Sequence, residues 1–167
     1  MDRSKIESYT TGGSELVKAY SGLSHAHLHA RPADGSWTLH QIAIHMMDSD
    51  LIGSDRLKRI ACMENPLLCG YDETAFCLLP GTDQLNAFVA CEMFQKNRMM
   101  TATILRALPD SAFLRTGIHT ESGKTTLEHM LEKYIEHLRH HLVFIGKKRR
   151  QLETASSSAP MPTSDHA

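Results

Sequence analysis

Apolar residues recur at three- and four-residue intervals along four long stretches of this chain, and nowhere do apolar and polar residues alternate for long. The stretches run from about Lys5 to Gly22, from Thr38 to about Cys62, from about Thr82 to Leu108 and from Thr125 to about Leu152. This pattern specifies an all-α protein, a four-helix bundle with negligible strand. The long connection between the second and third helices, Glu64-Asn65-Pro66 through Pro80-Gly81, has room for a short extra helical turn. Gly12-Gly13 predicts a kink or a late start in the first helix.

Two of the connections resemble each other. Gly35-Ser36-Trp37-Thr38-Leu39 and Gly123-Lys124-Thr125-Thr126-Leu127 both read G-x-x-T-L and open a helix. Thr38 with Gln41, and Thr125 with Glu128, fit the capping box, in which a hydroxyl takes an orphan amide and the N3 side chain reaches back. The bundle domain is expected over residues 1–152. The tail, Glu153 to Ala167, is rich in Ser, Ala, Pro and Thr, has no apolar face and is expected to be disordered. Lys147-Lys148-Arg149-Arg150 complements the dipole at a helix end.

Charge is nearly balanced, 18 Lys+Arg against 19 Asp+Glu. A protein that coats nucleic acid or an anionic membrane needs a basic surplus, so neither partner is expected. No apolar run reaches the length of a membrane span, and the polar N-terminus predicts no signal peptide. The cysteines, Cys62, Cys69, Cys77 and Cys91, show no CxxC spacing. Reduced thiols in a cytoplasmic protein are the expectation.

Histidine is the outlier, with 11 residues, and it says where chemistry should be sought. His137 and His141 are i,i+4 and share one face of the fourth helix. Its inward stripe reads Leu127, Met130 or Leu131, Tyr134, Leu138, His141, Ile145, with His137 on the edge and His140 pointing elsewhere. The second helix carries Ile42, His45, Ser49, Ile52 and Arg56 inward. Three imidazoles on facing helices of a bundle make a facial metal site whose fourth position is open to water.

The other histidines fit less well. His25 and His29 are also i,i+4 but lie in a turn bracketed by Ser24, Arg31, Pro32 and Gly35. His129 is about 12 Å from His137 along the helix. His119 and His40 read as loop and surface. Arg56 shares the azimuth of His45, and its plain reading is a structural ion pair with an acid such as Asp83 or Glu92. The chain has no GxSxG, P-loop, GxGxxG or HExxH motif. Glu136 sits about 100° round the helix from His137, so the helical motif carries no general base. Asp48 and Glu73 are the candidates for that role.

These residues resemble a known family. Trp37-Thr38 through Ile42, His45 and Asp48-Ser49-Asp50, then Arg56, are similar to the W-[ST]-x-x-x-[VI]-x-x-H-x-x-D-S segment of the DinB-like superfamily. Tyr71-Asp72-Glu73 resembles its P-Y-D-E connection, with Gly70 where proline is usual and Phe76 where many members have tryptophan. Arg98 resembles an arginine of the third helix. His119-Thr120-Glu121-Ser122-Gly123 through Leu127-Glu128, and Tyr134 through Ile145, are similar to the closing H-x-E-x-G-x-x-T-L-E and Y-x-x-H-x-x-H-H-x-x-x-I motifs. The likeness covers about residues 14 to 146 and is strongest to the YfiT-type subgroup, described as metal-dependent hydrolases.

The resemblance implies a four-helix bundle, often a homodimer, with a metal held by His45, His137 and His141. It implies zinc most readily and nickel next. Relatives of known chemistry use low-molecular-weight thiols. The chain is therefore expected to be a metal-dependent enzyme acting on a small molecule, either by activating water for hydrolysis or by presenting a metal-bound thiolate to an electrophile. Without a base built into the helical motif, the thiolate reading fits slightly better. Arg56 and Arg98 are candidate cofactor-binding residues. The alternative is a non-catalytic module whose ion only ties two helices together.

Overall fold

The computed structural model describes residues 1–157. Four long helices form the bundle: α1 (Ser4–Tyr20), α3 (Leu39–Cys62), α5 (Ala87–Ala107) and α6 (Leu127–Ser157), joined by two short helices, α2 (His25–His29) and α4 (Glu73–Cys77). Helix α4, with a 3-10 turn at Thr82–Gln84, fills the long connection where one extra turn was expected. α1 and α3 both pack on α5 and α6. None of the described helices is long and apolar enough to cross a membrane.

The Thr38 cap forms as the sequence predicts. The Thr38 hydroxyl accepts from the Gln41 amide at 3.1 Å, and Gln41 Oε1 accepts from the Thr38 amide at 3.0 Å. The third helix starts later than expected, because the Asn86 side chain accepts from the amides of Phe88 and Val89 and caps it there. The fourth helix is opened by Thr126, whose hydroxyl takes the His129 amide at 3.1 Å, and not by Thr125. Thr126 is the residue that the repeated G-x-x-T-L aligns with Thr38. α6 also runs past Leu152 to Ser157, into the segment expected to be disordered. There Thr154 Oγ1 donates back to the Arg150 and Gln151 carbonyls. Residues 158–167, the rest of that expected tail, lie outside the described residues.

Strand is not absent. A three-stranded sheet joins β1 (Leu67–Leu68), β2 (Thr116–His119) and β3 (Gly123–Thr126). β1 pairs with β2 in parallel, Leu68 opposite His119, and β2 pairs with β3 antiparallel, Thr116 opposite Thr126. Strands of two to four residues are too short to show alternation, which is why the pattern gave no sign of them.

The glycine pair in α1 marks a contact and not a break. The helix is continuous, and a Cβ at Gly12 would stand 2.5 Å from Leu138 Cδ2 and 3.0 Å from Arg98 Nη1. Glycine here lets α1 approach α5 and α6 closely. At this contact lies Arg98, which is fully buried. Its Nε donates to Asp50 Oδ1 at 2.7 Å, Nη1 to the Tyr9 carbonyl at 3.2 Å and Nη2 to the Tyr134 carbonyl at 2.8 Å. The rings of Tyr9 and Phe94 each lie 4.3 Å from its guanidinium carbon. Tyr9 belongs to one apolar cluster, with Ile6, Leu57, Phe113 and Leu131, and Phe94 to the other, with Leu16, Met46, Leu138 and Ile145. One guanidinium thus ties all four long helices together, and Arg98 is not the cofactor-binding residue the sequence suggested.

α3 and α6 meet most tightly at Gly53. A Cβ there would lie 2.6 Å from two carbons of the Tyr134 ring. The ring cannot retreat easily, since its hydroxyl accepts from Arg56 and its backbone carbonyl from Arg98. Gly53→Ala should therefore cost about 1–3 kcal/mol of stability through overpacking, read as a lower urea midpoint at unchanged slope.

Candidate metal centre

His45 sits two turns into α3, where the capped start fixes its azimuth. His137 and His141 stand one turn apart on α6. Their Nε2 atoms converge: His137 lies 3.0 Å from His45 and 3.1 Å from His141. This is the only group of three or more His, Cys, Asp or Glu side chains close enough to hold a metal among the described residues. Two donors on one tetrahedral ion at ordinary zinc–nitrogen distances stand about 3.3 Å apart, so the spacing suits an ion between the rings.

Electrostatics favour the same occupant. Burial, with neighbouring histidines adding to it, lowers His45 to about 4, His137 to about 3 and His141 to about 4. The three rings are therefore neutral at physiological pH and offer lone pairs to a common point, where protons compete poorly with a cation. Two of the rings are also contacted from outside. The Ser49 hydroxyl is 3.4 Å from His137 Nδ1, the kind of outer contact that orients a metal-bound imidazole. Trp37 packs edge-on to His45 at 4.9 Å. His140 points away from the convergence and packs on Phe144.

The two carboxylates named as candidate bases part company. Glu73, at the start of α4, brings Oε2 to 3.9 Å from His45 Nε2. Burial first, then the nearby Glu121, raises its proton affinity. Asp48 is half-buried on α3 and is raised by burial. It stands close enough to the Tyr71 phenol and the Cys77 thiol to raise both, but outside the converging histidines.

Beside His137 opens a cavity of about 100 Å³ lined by Ser49, Arg56, Tyr71, Glu73, His119 and Tyr134, among others. Arg56 forms no ion pair with Asp83 or Glu92, contrary to expectation. It donates to the Tyr134 hydroxyl at 2.9 Å and to the Cys69 carbonyl. His119 is no loop residue either: the β1–β2–β3 sheet carries it inward to 3% exposure. His40 is likewise buried, Nε2 2.8 Å from the Leu85 carbonyl and its ring stacked on His29. His25 and His29 lie in a true short helix with rings 4.3 Å apart, but face each other and not a metal-ligating group. His129 is exposed and stands outside the converging group, as its distance along the helix predicted.

Comparison with known proteins places this geometry. The chain is 27% identical over 140 residues to the "Putative metal-dependent hydrolase YfiT" of Bacillus subtilis, covering 83% of this chain and 79% of that protein. A protein of Bacillus mycoides (strain KBAB4), likewise called a "putative metal-dependent hydrolase", is 29% identical over 139 residues, covering 83% and 80%. The solved structure of YfiT from Bacillus subtilis, described as having an unusual four-helix bundle topology, matches with a TM-score of 0.84 at 26% identity, over 90% of this chain and 86% of that one. A family model described as the DinB superfamily matches residues 9–145. With that span, the bundle and the convergent histidines in place, the chain belongs to the DinB superfamily.

Proposed function

We propose that this protein is a metal-dependent hydrolase of small molecules, with zinc, or nickel in its place, held by His45, His137 and His141 and with Glu73 as general base. The observation that carries this reading is the Glu73 carboxylate 3.9 Å from His45 Nε2. The sequence favoured a thiolate mechanism only because the helical motif lacked a base. Helix α4 supplies one from outside the motif.

A divalent ion at this point would lower the pKa of a bound water and polarise a substrate oxygen. The rest falls to the chain. Three imidazoles supply three of the four positions of a tetrahedral ion and leave the fourth open. Glu73, half-exposed and with raised proton affinity, is placed to accept a proton from water and to return it to a leaving group. Ser49 holds His137, and Trp37 covers His45.

The test is a screen of the zinc- and nickel-loaded protein against esters, amides and thiol–electrophile pairs, with Glu73→Gln alongside. The Gln variant should keep its metal and lose hydrolysis by about 10²–10⁴-fold. Hydrolysis unchanged in that variant, or metal-dependent activity on thiol pairs alone, would overturn the reading.

A further inference from the structure

We propose that the cavity beside the three histidines binds a carboxylate group of the molecule acted upon, through Arg56, His119 and Tyr71. This deepens the hydrolase reading and rests on it for the word "substrate". The cavity itself is argued from the chain alone.

Arg56 is the first ground. It is 7% exposed, yet both of its hydrogen bonds go to neutral oxygens, the Tyr134 hydroxyl and the Cys69 carbonyl. No salt bridge involves it among the described residues, and its Nε–H is buried without a protein acceptor. A buried cation is ordinarily paired. The contrast within this fold is direct: Arg98, also buried, has Asp50 at 2.7 Å. Arg56 shares with Arg98 an inward place on a long helix and burial, but has no carboxylate bonded to it.

His119 is the second. Its Nδ1 accepts from the amides of Glu121 and Ser122, at 3.2 and 3.4 Å. The ring proton must then sit on Nε2, which is buried and has no protein partner. Tyr71 is the third: its hydroxyl is near Ser49 but makes no hydrogen bond of ordinary geometry, and burial keeps the phenol protonated. Three donors without protein acceptors therefore line one small cavity with His137 at its wall.

The ligand class follows from shape and charge. About 100 Å³ takes a carboxylate head and little more. Glu73, Glu121 and Lys133 also line the cavity, so with neutral histidines its formal charges balance. A divalent ion on the adjacent imidazoles tips the balance positive. Glu121 and Lys133 are exposed and half-screened by water, whereas Arg56 and His119 are not, so the buried donors set the preference. A planar carboxylate can accept from Arg56 Nε–H and His119 Nε2–H together.

The experiment follows the Arg56 Nε–H and His119 side-chain NMR signals while sodium acetate is added to the zinc-loaded and the metal-free protein, with sodium chloride as control. The Arg56 signal should shift saturably with acetate and not with chloride, more tightly with zinc present. His119→Phe and Tyr71→Phe should each weaken acetate binding about tenfold with zinc content unchanged. Arg56 signals that ignore acetate in both forms would overturn the proposal, and so would equal affinity in the variants, since acetate would then be bound by the ion alone. If the protein takes up no zinc, the hydrolase reading falls, while the metal-free titration still decides the cavity.

Discussion

Alanine in place of His137 should give a protein that folds normally and holds almost no metal. His137 is the middle ligand, its Nε2 3.0 Å from that of His45 and 3.1 Å from that of His141. Without it, one imidazole remains on each of two helices, and a bidentate site spread over a gap cannot hold an ion at low concentration. Affinity should fall by well over about 100-fold, more than the loss of an outer-sphere partner costs. Folding is a separate matter. The α6 face that packs the core is Leu127, Leu131, Leu138 and Ile145, all at 2% exposure or less, and all four are kept. The check is metal per chain in protein purified without a histidine tag, alongside the melting temperature. His140→Ala serves as control, since its exposed ring points away from the convergence, and it should keep full occupancy. About one metal per chain in the His137→Ala protein would refute the three-histidine assignment.

Arg98→Met should destabilise the bundle by about 3–5 kcal/mol, the cost of breaking a buried ion pair from one side. Asp50, 1% exposed, would keep only Asn97 Nδ2 at 2.7 Å and a long contact from the Tyr9 hydroxyl at 3.5 Å. It must then stay charged in an apolar core or take up a proton, and either course is costly. The carbonyls of Tyr9 and Tyr134 would lose their donors as well. Urea unfolding measures the effect. Replacing Asp50 with Leu in the same chain should recover much of the loss, because an apolar pair of similar volume needs no partner. A single Arg98→Met change costing under about 1 kcal/mol, the worth of an exposed pair, would mean that the guanidinium does not tie the helices together.

The long helices and the histidine triad were legible in the sequence because both are governed by one local rule, the helical period. His45, His137 and His141 are each fixed by their distance from a capped helix start. The signs that failed depend on partners far away in the chain. His119 looked like a loop residue because its strand pairs with Leu68, some fifty positions earlier, and with a β3 of only four residues. The H-x-E motif held it in view, but gave no sign of burial. Arg56 and Arg98 are alike in sequence, each an arginine on an inward face. Only the position of Asp50 makes one a core tie and leaves the other without an ion pair. Glu73 could be named but not placed, since the path of the long connection is set by the sheet and not by periodicity.

That sheet gives the two halves of the site unequal resilience. The histidines ride on helices whose hydrogen bonds are internal and whose flanks are packed on both sides. The cavity donors hang on far less. His119 lies on β2, Cys69, which holds Arg56, follows β1 directly, and Tyr71 is two positions further along. β1 is kept against β2 by the Ile118 amide on the Pro66 carbonyl and the Thr120 amide on the Leu68 carbonyl. The Gly70 amide on the Thr120 hydroxyl and the buried Leu68 side chain add to these, yet opening so short an edge is a local event, below the cost of unfolding the bundle. With a carboxylate in the cavity and an ion on the histidines, as proposed, exchange of the carboxylate would need only this short edge to fray, the helices that carry the histidines staying folded. On the proposed reading, exchange of ligand and retention of ion would fall to parts of the fold that open on different energy scales.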